Sequence, residues 1–499
     1  MTELQIIGEI VARYSQNKIS ILPASAKRKD RKNKFEDAYH LLFKGSAPDD
    51  YEEKNYLGYK RKSGTFRSFK SRFEEKLLNM LFFIEISKTR LSAVNKAEYE
   101  CSKLQHQARM LGLLYGRRPA IKLAKKIFNI ALKYQLSEFM VYSIGLLLKH
   151  ASETGDKFAF QKYKRMQSYW LAQLTAEENA KTSMEGLNIL FGKSIGQKPE
   201  LTEVALKYMH GIKRDIRTND GYVLQYNKRK IEAIAYQIGQ NYQKSLLIWS
   251  GLENYLNKNP DFASDTKYAE IAVQQMDCYM HLQEYDKGKK CAETCQKYFW
   301  PGSSNRLIFM EFYFLLTIQS GEYEMANRIL EEAIHDKYLQ NMSVMHQKKW
   351  RLFKAYLIYV LEPKDQDHSF DTDEFLNEFL VFKMDKRGYN VALLILNWCM
   401  LLRNGDFTKL ITITNALKEY RLRNLKGKPD QRVNLFVSMM QTAYRLDYDP
   451  NKLRESTNTF LRKIRDKRIV YSANMEGLEV IPFDVLWGMV INDMKVGNK

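Results

Sequence analysis

One turn recurs along this chain, and it constrains the fold more than any other feature. Gly321-Glu322-Tyr323-Glu324-Met325-Ala326 joins an apolar helical segment at 307–319 to a second at 325–335. The same scheme returns as Gln283-Glu284-Tyr285, Gln240-Asn241-Tyr242 and Gly405-Asp406-Phe407. Related breaks stand at Gly116-Arg117-Arg118-Pro119, Gly155-Asp156-Lys157, Gly196-Gln197-Lys198-Pro199, Glu362-Pro363 and Asp447-Tyr448-Asp449-Pro450. Their mean spacing is about 41 residues, the length of a helical hairpin plus its links. Two antiparallel helices cannot bury both apolar faces alone, so each hairpin must stack on the next. The aromatic after the turn (Tyr242, Tyr285, Tyr323, Phe407) is expected to wedge between the helices. A small residue three places on (Ser245, Gly288, Ala326) lets them approach. Asn259-Pro260 and Trp300-Pro301-Gly302 punctuate the links, because proline cannot continue a helix.

Composition agrees. Gly (24) and Pro (10) are sparse in 499 residues, which disfavours a turn-rich β-sandwich. A 45% hydrophobic content is enough for a real core.

Gly321-Glu322-Tyr323-x-x-Ala326-x-x-x-Leu330-x-x-Ala333 resembles the second half of a tetratricopeptide repeat. Tyr285, Gly288, Ala292 and Cys295 with Pro301 form a weaker copy. The units are longer than the family's 34 residues, and its first-helix Trp, Gly and Tyr are missing. The resemblance implies an all-α, right-handed α-solenoid of about nine antiparallel helical hairpins. It also implies a groove, lined by first helices, that holds a peptide or a partner protein. The expected organisation is a basic helical N-terminal region at 1–95, repeats at 96–470 and a C-terminal capping helix at 471–499, with Val485, Leu486, Met489 and Val490 covering the last hairpin.

Lys+Arg exceeds Asp+Glu by 79 to 58, a net charge of +21, which favours a polyanionic partner. The N-terminal region carries the densest basic runs. Residues 60–72 hold Lys60, Arg61, Lys62, Arg67, Lys70 and Arg72 with no acid, and these are the candidate nucleic-acid contacts. Phe66, Phe69 and Phe73 on the same segment recur at helical spacing and read as core. Further basic groups lie at Arg117, Arg118, Lys122, Lys125 and Lys126, and at Lys228, Arg229 and Lys230; whether they form one stripe or scatter depends on the fold. No nucleic-acid-binding motif accompanies them.

The candidate partner-binding residues are Glu311, Arg351 and Lys354. Glu311 interrupts an apolar first helix at a position where a tetratricopeptide-like groove meets its ligand. The competing reading pairs Glu311 with Arg351 or Lys354 of the next unit, since a buried carboxylate needs a partner. Cys278, His281, Cys291 and Cys295 have the spacing of two helix-face pairs, a zinc-like set. Against that, Cys295 occupies a small packing position. Gly192-Lys193-Ser194 lacks the spacing and the strand of a phosphate-binding loop, and the acidic run from Asp365 to Asp373 lacks the glycine and glutamate of a calcium loop.

No catalytic motif stands out, so the reading is a non-catalytic scaffold without cofactor or metal, and the alternative is a nucleic-acid-associated protein. Glu3 and Glu9 interrupt any signal-like apolar stretch, five cysteines are too few for a disulfide framework, and the longest apolar run, 391–402, is too short for a bilayer. A soluble cytoplasmic protein with no membrane contact is expected.

Overall fold

The computed structural model describes residues 64–89, 91–114, 117–193, 199–216, 221–361, 389–424, 431–466 and 479–497. Among them there are helices and no strand. In chain order the helices are α1 (Gly64–Met80), α2 (Ala93–Leu114), α3 (Arg117–Tyr134), α4 (Ser137–Thr154), α5 (Lys157–Lys193), α6 (Pro199–Ile216), α7 (Tyr222–Ile238), α8 (Tyr242–Lys258) and α9 (Asp265–His281). They continue as α10 (Tyr285–Cys295), α11 (Ser304–Gln319), α12 (Tyr323–Ile334), α13 (Val344–Leu361), α14 (Tyr389–Asn404), α15 (Phe407–Asn424), α16 (Gln431–Arg445), α17 (Pro450–Arg465) and α18 (Phe483–Gly497). Consecutive helices pack on one another from α7 to α13 and again from α14 to α18. The chain divides into two compact units, 1–171 and 172–499, with the division inside α5.

The recurring turn has one backbone solution. Gly155, Gln240, Gln283, Gly321 and Gly405 all adopt positive φ, between 56° and 83°. In each, the next residue's N–H reaches back to a carbonyl of the preceding helix: Asp156 to Ala151, Asn241 to Tyr236, Glu284 to Tyr279, Glu322 to Thr317 and Asp406 to Leu401, at 2.8–3.0 Å. This is the Schellman closure, which satisfies carbonyls that a helix end leaves orphaned. Tyr448 and Leu136 make the same bond to Ala443 and Ala131. The turns at Gly116, Gly196 and Glu362 lie outside the described residues.

Behind the turns, three of the four aromatics pack as expected and Phe407 does not. Tyr242 is buried, Tyr285 and Tyr323 are half-buried, and Phe407 is exposed, its ring 5.3 Å from Tyr448. Ser245, Gly288 and Ala326 are buried. A Cβ on Gly288 would lie 2.6 Å from Leu316 Cδ2, so a larger residue here makes the buried Leu316 side chain of α11 shift. The proline-bearing links hold: α8 ends before Pro260 and α10 before Pro301. Ser264 and Ser303 then cap the helices that follow, accepting from the N–H groups of Lys267 and Arg306.

Two elements differ from expectation. The 41-residue period leaves room for two helices and a link between Gly155 and Gly196. The chain instead makes one 37-residue helix, α5, about 56 Å long. No proline lies within it, and its glycines, Gly186 and Gly192, fall near its end, so nothing stops the helix earlier. The second difference is the C-terminal segment. Leu486 and Val490 are buried as expected and Met489 is half-buried, but Val485 is exposed, and the segment reaches far beyond the last hairpin. Gln319 at the end of α11 donates to the Glu479 carbonyl at 2.7 Å. Tyr359 of α13 and Arg403 of α14 both bond Asp493 of α18. Phe436 of α16 stacks on Phe483 at 4.5 Å, and Trp487 donates to Thr457 of α17. Val480, Ile481, Phe483, Leu486, Trp487, Val490, Ile491 and Met494 are all buried in one core with residues of α9 to α17. At about 1.5–3 kcal/mol for each large apolar side chain, releasing this segment costs on the order of 10 kcal/mol or more. It is an integral part of the second unit.

Candidate partner-binding surface

Two pairs of first helices in the second unit, α7 with α9 and α11 with α13, are tied by polar groups that the apolar pattern does not reveal. Glu311 on α11 is 3% exposed. Its carboxylate meets Lys349 Nζ at 2.7 Å and His346 Nδ1 at 2.9 Å, both on α13. Lys349 is as buried as Glu311, and the aliphatic stem of such a lysine packs while its ammonium is neutralised. Ten residues before its turn, Glu311 stands where Lys230 stands before Gln240. Lys230 on α7 binds Glu270 on α9 at 2.5 Å, the same kind of tie with the charges exchanged. The Tyr226 hydroxyl donates to the other Glu270 oxygen at 3.0 Å. Two helical turns beyond Lys230 on α7, Gln237 donates to Gln274 and Asp277 of α9, each at 3.0 Å. His281, at the end of α9, stacks on Tyr242 with ring centroids 4.0 Å apart. At the C-terminal end, Arg432 grips Glu479 with two bonds of 2.9 and 2.7 Å, and both groups are buried.

The expected pairing of Glu311 with Arg351 or Lys354 does not form. Helical phase explains it. At about 100° per residue, Arg351 and Lys354 point about 200° and 140° away from Lys349 on α13. Both are exposed, while Trp350 and Phe353 enter the core beside Lys349. Glu311 therefore faces the packed seam between α11 and α13, and Arg351 and Lys354 stay at the surface. The signal for Lys349 was present as a charged residue within a buried face, next to Trp350.

Cys291 and Cys295 touch each other, but the four soft ligands do not converge as one set. Cys278 is buried against Ser245 of α8 and burial pushes its thiol up, His281 lies on Tyr242, and Cys291 lies 3.6 Å from the Gln275 amide oxygen. Among the described residues no group of three or more His, Cys, Asp or Glu side chains could hold a metal ion. The free thiols of Cys101 and Cys399 are also buried, and burial drives the Cys101 thiol up to about 12.

Of the basic candidates, Lys60, Arg61 and Lys62 lie outside the described residues. Arg67 and Arg72 are exposed on α1 and Lys70 is half-buried, while Phe69 and Phe73 are core. Arg229 lies over the Tyr255 ring at 4.5 Å, so with the Lys230 pair two of the three cations of this run are engaged within the fold. The acidic run near Asp365 lies outside the described residues. No described helix is long and apolar enough to cross a membrane. Compared with known proteins, this chain matches no family model, no curated protein and no solved structure.

Proposed function

We propose that this chain is a non-catalytic scaffold, a right-handed tetratricopeptide-like solenoid of about nine hairpins that binds a partner protein or peptide. The observation that carries the reading is the regular first-helix architecture. Helices α7 and α9, and α11 and α13, are tied in pairs by polar groups, with Schellman turns recurring after 43 and 38 residues at Gln240, Gln283 and Gly321. Such an array presents side chains at fixed spacing over a long surface, which suits capture of an extended partner. Glu311 contributes by fixing α13, and the contacts fall to exposed Arg351 and Lys354 on the same helix. A partner of acidic character fits two cations one helical turn apart.

The test is chemical cross-linking and affinity capture from the native host with the full chain and with Arg351→Glu/Lys354→Glu. Both positions are exposed, and a circular dichroism melt of the variant verifies that it is folded. Loss of a specific captured protein supports the reading, and equal capture by the variant contradicts it.

A further inference from the structure

The first unit carries a charged surface that the partner reading does not use. Helix α3 contains no acidic residue. Its buried face holds Ala120, Ile121, Ala124, Ile127 and Ala131. Its exposed face holds Arg118, Lys122, Lys125, Lys126 and Lys133. At about 100° per residue these five cations fall within an arc of about 100°, a stripe about 22 Å long. A nearby acid, Glu100, meets Lys126 at 2.9 Å, and both groups are about half exposed, so the pair is easily exchanged for another anion.

Helix α5 begins with a second stripe. Phe158, Lys162, Arg165 and Tyr169 are all exposed and lie within about 60° of one another over about 17 Å. Phe158 is 85% exposed, an unusual setting for a phenylalanine in a helix. Asp156 caps the helix through the Ala159 N–H, and no acid follows between Lys157 and Ala176. The two helices are neighbours: Phe128 of α3 and Tyr163 of α5 meet edge-on at 6.3 Å, over a core of Ile121, Ala124 and Leu147.

We propose that the exposed faces of α3 and the start of α5 form a binding surface for single-stranded nucleic acid. The cations would track phosphates, and Phe158 and Tyr169 would stack on bases. Sequence-tolerant binding of single strands uses this combination of a basic track and aromatic platforms. An anionic bilayer fits less well. Membrane-surface helices present a continuous apolar band below their cations, whereas here Lys162 and Arg165 separate the two aromatics. A duplex offers no unstacked bases to Phe158.

The experiment measures anisotropy of fluorescein-labelled 20-nucleotide oligo-U RNA and oligo-dT with the full chain across a salt series. About six phosphate contacts predict a log–log salt slope near −4, so affinity falls about 250-fold between 50 and 200 mM salt. Lys122→Ala/Lys125→Ala/Lys162→Ala/Arg165→Ala should reduce the slope by about 3. Phe158→Ala should weaken binding about tenfold with the slope unchanged. All five side chains are exposed, and unchanged helical circular dichroism verifies that each variant is folded. The RNA and DNA arms tell which strand is preferred, and binding of either supports the proposal. No binding at 50 mM salt, affinity unaffected by Phe158→Ala, or binding only to phosphatidylserine vesicles or poly-glutamate overturns it. Partner capture through Arg351 and Lys354 is read separately and stands or falls on its own.

Discussion

Removing one member of the Glu311–Lys349 pair tests the packing of the second unit at its most loaded point. In Lys349→Met the Glu311 carboxylate keeps His346, which is about one-third exposed, and loses the ammonium that neutralised it at 2.7 Å. Both paired groups are almost wholly buried, so solvent cannot take over the lost contact. Stranding a buried charge costs about 3–5 kcal/mol. At about 2–4 °C per kcal/mol for a body of this size, the melting temperature should drop by roughly 6–20 °C. Replacing both groups, Glu311→Leu/Lys349→Met, removes the stranded charge and should bring stability back to within about 1 kcal/mol of the parent or above it. Circular dichroism melts and urea titrations of the parent, both single variants and the double variant supply the cycle. Single-variant costs below about 1 kcal/mol, or a double variant as unstable as the two losses added, would refute the argument that the pair ties α11 to α13.

Two glycines separate backbone from packing effects. Gly321→Ala should lose about 1–2 kcal/mol purely from its φ of 83°, since no atom lies within 4 Å of the new Cβ. Gly288→Ala should lose about 1–3 kcal/mol by overpacking against Leu316 at an ordinary φ, and Leu316→Ala in the same chain should relieve that clash at the expense of a cavity. Alkaline pH probes the buried acids. Burial raises Tyr242, Tyr356 and Tyr359 and the thiols of Cys278 and Cys399 above their ordinary values, and the unfolded chain ionises first. Their contribution is therefore complete below about pH 9 and is lost as pH rises beyond it, about 1.4 kcal/mol per pH unit for each group. Melting temperatures should be level from pH 7 to 8.5 and fall steadily above pH 9.5; a level profile to pH 11 contradicts the burial of these groups.

The hairpin turns were legible because a turn is local. Gly155, Gly321 and Gly405 announce a left-handed residue, and at Gln240 and Gln283 the following Tyr marks the same position where glycine is missing. The Gln135 turn escaped because nothing around Leu136-Ser137 breaks the apolar pattern. Core positions such as Phe69 and Phe73 followed from helical spacing. Long-range contacts did not. Glu311 declared that it needed a partner, but the choice of Lys349 over Arg351 or Lys354 depends on the rotation of α13 against α11. The bond from Gln319 to Glu479 spans 160 residues and no periodicity encodes it. The α3 cations were visible as residues, and their alignment on one face emerged only once the opposite face was seen to be buried.

Hydrogen exchange measured by mass spectrometry, comparing the full chain with one ending at residue 478, addresses the interdependence of the hairpins. The C-terminal segment bonds α11, α13, α14, α16 and α17, so its removal should raise exchange in all five helices. Increased exchange confined to α17, with α11, α13 and α14 as protected as before, would mean that the hairpins hold themselves and that the segment is only a terminal cap.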